Sequence, residues 1–156
     1  MGHGGHSRAD GLIADCPHCL RIKQAKDGMR EGLVYETPNA IVVAGDHQFF
    51  PGYCVVIAKR HIREMHDLPE QDASALILDV LHVGRVIQAG MTCLKMNYVS
   101  LGNIHEHLHW HVMPRYHSDP DHKDHPWKNT HLFSKYPTTI ESIATIKGLF
   151  QGPKTR

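Results

Sequence analysis

The sequence carries no excess of charge of either sign. Seventeen Lys and Arg stand against sixteen Asp and Glu, a formal charge of +1 with His neutral. A chain so balanced offers no polybasic stripe to a nucleic-acid backbone and no cationic patch to an anionic lipid surface. Neither nucleic acid nor membrane is therefore expected among its partners. Apolar runs are short, and none is an uninterrupted stretch of bilayer-spanning length. The first eleven residues, MGHGGHSRADG, lack the apolar core of a secretory signal. Cysteine is scarce, with Cys16, Cys19, Cys54 and Cys93 only, too few for a disulfide scaffold. These absences lead to the expectation of a cytoplasmic setting, where a close Cys pair more often binds metal or does redox work than closes a disulfide.

Aromatic residues make up only 7% of the chain, yet 41% is hydrophobic, enough to build a core. No internal repeat or linker divides the 156 residues. The expected organisation is a flexible N-terminal tail over 1–11 and a single domain over 12–156. Histidine is what the chain has in abundance, at fifteen residues.

From Leu33 the text is strand-like: 33–36, a turn at Pro38-Asn39, then 40–44, and a third strand over 53–58 entered through Pro51-Gly52. Together they predict an antiparallel meander. A long helix is expected to start near Pro69, capped by Asp67, and to run towards Ala89 or Cys93. Ala73, Leu76, Ile77, Val80, Leu81 and Ile87 recur in it at three- and four-residue steps. Strands are expected over 96–101 and from about Glu106 to Met113, then a polar loop over 117–130 and a short helix over 139–150. The resulting order, β-β-β-α-β-β-α, is an α+β fold: an antiparallel sheet with one long helix and a shorter C-terminal helix.

The stretch Ile104-His105-Glu106-His107-Leu108-His109-Trp110-His111-Val112-Met113 carries the chemistry. Alternation along a strand places His105, His107, His109 and His111 on one face and Leu108, Trp110 and Val112 on the other. Same-face neighbours lie roughly 6–7 Å apart, a span that suits one phosphate touched by two imidazoles. Three readings are open. The strand can be half-buried with a polar face that happens to be His. It can bind metal, although one straight strand cannot wrap three alternating His around one ion. Or an imidazole can attack phosphorus as a nucleophile. The pair Cys16-Pro17-His18-Cys19 is likewise open between zinc, a redox pair and neither. No strand precedes it as a redox motif requires, and alone it supplies half of a tetrahedral zinc site. Cys54 and Cys93 sit in apolar surroundings and read as core thiols.

The run His107-Leu108-His109-Trp110-His111-Val112-Met113, continued by Pro114-Arg115-Tyr116, resembles the signature of the histidine-triad superfamily, in particular its zinc-bearing bacterial branch similar to dinucleoside-polyphosphate hydrolases. The resemblance implies that His109 attacks the α-phosphate of a nucleotide to give a nucleotidyl-histidine, resolved by water or another acceptor. His111 would then bind phosphate oxygens and assist the leaving group, with Asn103 in the place of a phosphate-binding amide. It further implies a structural zinc ion held by Cys16, Cys19, His61 (in Ala58-Lys59-Arg60-His61-Ile62) and His107, and a two-fold homodimer. One departure is plain: the family often carries a His where Tyr53 follows Gly52, so that phosphate contact is lost or passes to the Tyr hydroxyl. Val34, Ile41 and Phe50 are candidates for the nucleoside pocket. The stretch from His122 to Trp127 is expected over the site or across a dimer interface.

Two other classes compete. A non-catalytic nucleotide-binding module would keep the fold, although intact His107, His109 and His111 argue against it. A His-rich metal-binding protein would take several metal equivalents per chain. Within the enzyme class, dinucleoside polyphosphates such as diadenosine tetraphosphate, nucleoside phosphoramidates and nucleotide-sugar-like compounds all remain open as substrates.

Overall fold

The computed structural model describes residues 11–152, so the tail expected over 1–11 lies, but for Gly11, outside the described residues. Five antiparallel strands form one sheet: β1 (Leu33–Glu36), β2 (Ala40–Ala44), β3 (Cys54–Ala58), β4 (Lys95–Val99) and β5 (His109–Arg115), ordered β1-β2-β3-β5-β4. The helices are α1 (Pro17–Lys26), α2 (Glu70–Met91), α3 (Thr130–Phe133) and α4 (Ile140–Phe150). The mixed α+β class, the meander and the long helix follow the sequence pattern closely.

Period-two alternation divides the core between the sheet's two faces. Ala40, Val42, Cys54, Val56 and Val112 pack with Leu76, Val80, Val83 and Ile87 of α2 and Ile146 of α4. Ile41, Val43, Val55, Ile57 and Met113 face the other way, onto Cys19, Ile22 and Ala25 of α1. Among the described helices α2 alone is long and apolar enough, by length and composition, to cross a membrane. Here it covers the sheet, and Asp79 in its middle accepts hydrogen bonds from the Thr37 hydroxyl at 2.7 Å and the Asn39 amide at 3.2 Å.

Four departures from the sequence pattern bear on the site. Helix α1 is not among the expected elements; it begins at Pro17, whose missing N–H costs nothing at that position, with the Cys16 sulfur accepting from the Cys19 N–H at 3.4 Å. Asp67 does not cap α2: it lies in a 3-10 turn over Met65–Asp67, while Pro69 occupies the cap position with no side-chain hydrogen bond. Strand β5 starts at His109 rather than Glu106 and continues through Pro114. Residues 103–107 instead peel away as bends after Gly102, whose φ of +69° only glycine adopts without strain. The 117–130 loop is partly structured, closing in a 3-10 turn over Pro126–Asn129 that leads into α3. The C-terminal helix follows the pattern, with Thr139 as its cap in a reciprocal pair with Ser142.

Candidate active site and metal centre

Strand β5 presents His109 opposite Ile57 and His111 opposite Val55 of β3, both on the α1 side of the sheet. His109 is 6% exposed, and its Nδ1 lies 2.6 Å from the His107 carbonyl oxygen. A carbonyl only accepts, so Nδ1 carries the ring proton and Nε2 keeps its lone pair. That is the tautomer a nucleophilic imidazole needs. His111 stands beside it, ring centroids 5.0 Å apart, with Nδ1 2.7 Å from the Tyr53 hydroxyl. Burial, reinforced by His109, pushes the His111 pKa down to about 4. The imidazole is therefore neutral at physiological pH. Burial likewise raises the Tyr53 phenol, which keeps its proton. Gly45 is required here, because a Cβ would lie 2.2 Å from the Tyr53 ring.

Both imidazoles line a pocket of about 260 Å³ with Asn103, His105 and Trp127. Asn103 is thus brought to the site as expected; it is exposed at the rim, on the loop that replaces the start of the expected strand. Trp127 meets the His111 ring edge-on at 5.3 Å, so the polar loop does fold over the site. His105 is exposed beside the same pocket, and Glu106 turns away to Arg63 at 2.9 Å. Of the candidate nucleoside contacts, Ile41 and Phe50 lie on the site's side of the sheet. Val34 is a correction: its strand position turns it to the opposite face, into the core shared with α2 and α4.

Sequence reasoning missed His18. Helix α1 carries it into the middle of the site, 4.5 Å from the His109 ring and 5.6 Å from those of His105 and His107. It is 8% exposed, and among the described residues neither ring nitrogen has a hydrogen-bond partner. Burial and the neighbouring His109 and His107 lower its pKa to about 3. The signal was present in Pro17 as a helix start and in the Cys19, Ile22, Ala25 spacing.

Cys16, Cys19, His61 and His107, the set that the family resemblance implied, converge, with one ligand atom from each all within 4.8 Å of one another. Cys19 Sγ lies 3.2 Å from His61 Nδ1 and 3.4 Å from His107 Nδ1, and Cys16 Sγ 3.4 Å from His107 Nδ1. A tetrahedral zinc site has sulfur–nitrogen edges of roughly 3.5 Å, so the donor set and its spacing fit that ion. His107 Nε2 donates to the Ala58 carbonyl at 2.7 Å. This holds the Nδ1 lone pair towards the thiols, the outer contact that histidine metal ligands usually make. His107 is fully buried, and burial lowers its pKa to about 4.

Comparison with known proteins adds four findings. The model of the HIT domain family matches residues 28–118. The chain is 25% identical over 133 residues to Protein hit of Bacillus subtilis (strain 168), covering 82% of this chain and 90% of that one. Among solved structures it is similar to a histidine triad protein from Sinorhizobium meliloti 1021 (TM-score 0.67, 21% identity, 80% of this chain and 92% of that one). It is also similar to a zinc-bound histidine triad family protein from Mycobacterium smegmatis (TM-score 0.64, 18% identity, 88% and 94%).

Proposed function

This chain belongs to the HIT domain family, and on that premise we propose that it cleaves or transfers nucleotides through a covalent nucleotidyl-histidine. The observation that carries the reading is the buried His109, whose Nδ1 proton is committed to the His107 carbonyl while the ring lines an accessible pocket. Its Nε2 lone pair attacks the α-phosphorus, and the leaving phosphate departs on the opposite side; water or another acceptor then releases the nucleotide. Neutral His111 and the Asn103 amide contribute hydrogen-bond donors to the phosphoryl oxygens. Ile41, Val43 and Ala25, together with Arg21, Gln24 and Glu31, line a cavity of about 210 Å³ between α1 and the first two strands, a mixed polar and apolar slot in which we place the base. We assign the substrate to nucleoside or dinucleoside polyphosphates such as diadenosine tetraphosphate, in keeping with the hydrolase-like branch that the motif resembles.

Zinc at Cys16, Cys19, His61 and His107 would be structural, since four protein ligands leave no open position. Its chemistry there is to hold α1 and the segment before β5 in register. The zinc-bound Mycobacterium smegmatis relative supports this reading, as do the free thiols, which suit a reducing, cytoplasmic setting. A homodimer is supported by β4, which among the described residues pairs only with β5 and leaves a sheet edge open. Tyr98 of β4 and Leu94 and Leu101 flanking it are exposed.

The test is intact-protein mass spectrometry after mixing with diadenosine tetraphosphate and quenching at high pH. Wild type should carry an adenylyl adduct that the His109→Ala variant lacks. If folded, zinc-loaded protein shows neither adduct nor nucleotide release, the enzymatic reading fails.

A further inference from the structure

The Tyr53 hydroxyl occupies the place where the family often has a phosphate-contacting His, yet its hydrogen bond goes to His111 Nδ1 at 2.7 Å. Tyr53 is 5% exposed, with its ring seated on Gly45 and 5.0 Å from the His47 ring, so the hydroxyl is not free to swing elsewhere. Two proton arrangements are available to the pair. If His111 donated from Nδ1, the phenol hydrogen would be left without an acceptor in a buried place. If Tyr53 donates, both groups are satisfied and the single imidazole proton sits on Nε2.

We propose that Tyr53 is a positioning residue that fixes His111 as its Nε2–H tautomer, and that this makes the site selective for phosphoanhydrides over phosphoramidates. The inference rests on the nucleotidyl-transfer reading above and names its substrate class. With one proton and Nδ1 already engaged, His111 is a hydrogen-bond donor and not an acid. Giving up the Nε2 proton would leave an imidazolate, or a buried phenolate if the Tyr53 proton followed. A phosphoanhydride needs no such proton: the His109 lone pair forms the N–P bond, the P–O bond breaks, and its electron pair stays on a phosphate oxygen that is stable as an anion near neutral pH. A phosphoramidate needs one, because the P–N electron pair would otherwise remain on a strongly basic nitrogen. In Tyr53→Phe, Nδ1 loses its donor; the ring stays buried and neutral, but its single proton is free to move to Nδ1, so that Nε2 is no longer held as the donor that the departing phosphoanhydride oxygen uses. His109, His47 and Asp46 are the ionisable groups that bear on it.

The experiment has two arms. Nitrogen-15 NMR of the zinc-loaded wild type reads the His111 tautomer directly, whether or not the protein turns over. The Nε2–H form is expected at pH 7, and an Nδ1–H form or an imidazolium overturns the proposal. Kinetics with diadenosine tetraphosphate and adenosine phosphoramidate then compare kcat/KM in wild type and Tyr53→Phe. The preference for the phosphoanhydride should shrink by about tenfold or more in the variant. An unchanged ratio overturns the proposal, since a merely structural loss lowers both substrates together. No turnover of either substrate and no adduct on His109 would instead sink the nucleotidyl-transfer reading and the selectivity with it, leaving the tautomer assignment to NMR.

Discussion

His18 is the residue whose surroundings make least sense for stability alone. A buried imidazole with neither nitrogen paired costs about 1–3 kcal/mol relative to one that is satisfied. Replacing it with Phe, which keeps a ring against His105, His107 and His109, should therefore raise the thermal midpoint of the unliganded protein by roughly 2–8 °C. The same change should weaken nucleotide binding, measured as KM. A variant that is destabilised with unchanged KM would make His18 an ordinary packing residue. His111 and His47 give a second, pH-dependent prediction. Burial holds both below the usual imidazole range, His111 at about 4. The unfolded chain thus binds more protons than the folded one between about pH 4 and 6.5. Their contribution is present in full above pH 6.5 and is lost as pH falls through the folded values. The thermal midpoint of wild type should fall over that window, and that of His111→Gln should fall less; equal slopes would refute the assignment. At this scale the triad was legible because strand alternation and fixed spacing are local. His18 was not, because its role comes from a helix that folds back over residues about ninety positions away.

Among the elements, the least readable was the segment from Arg115 to α3. Sequence shows a polar, Pro-containing stretch, and nothing local says what holds it. The structure supplies Arg115, 1% exposed at the end of β5. Its Nε donates to the Asp119 carboxylate, one terminal nitrogen to Asn97 Oδ1 at 3.0 Å and the Asp124 carbonyl at 2.7 Å, and the other to the Asp121 carbonyl at 2.7 Å. The guanidinium also lies 5.0 Å from the centre of the Phe50 ring. One side chain thus gathers the loop that carries Trp127 to His111. Arg115→Ala leaves the buried Asp119 carboxylate without its counter-charge, keeping the hydrogen bond from the Asp121 N–H, which should cost about 3–5 kcal/mol, read from the urea midpoint. Arg115→Lys should recover only part of it, because an ammonium cannot span this set of acceptors. Hydrogen exchange over 117–130 should rise in both variants while β2 and β3 stay protected. Equal exchange everywhere would remove the clamp. The meander and α2 were legible by contrast because their apolar periods are long and regular. The start of β5 was misplaced because His107 obeys the alternation in sequence but is drawn out of the sheet by its bonds to Ala58 and the thiols.

For the whole molecule, the Cys and His cluster joins three segments that the sheet does not hold together: α1, the turn after β3 and the bend before β5. Among the described residues, α1 is otherwise fixed by one buried side and by the ion pair of Arg21 with Asp46. Cys19, Ile22 and Ala25 bury one side, but ten residues are too short to be helical on their own. A bound ion that recognises only the folded cluster stabilises by about 4 kcal/mol when its free concentration is a thousandfold above its dissociation constant. Chelation should therefore lower the thermal midpoint, and the loss should be uneven. Amide exchange in α1 should accelerate first and most, with β2, β3 and α2 retaining protection, since their contacts on the far face of the sheet do not involve the cluster. Because α1 carries His18 to His109, the chelated protein should also form the nucleotidyl adduct more slowly, although no ion touches the phosphate in this scheme. Cys19→Ser should reproduce both effects, and added zinc should reverse them in wild type only. If chelation slowed adduct formation while α1 stayed protected, the metal would have to act on the substrate itself, and the closed structural site inferred from four ligands would be wrong.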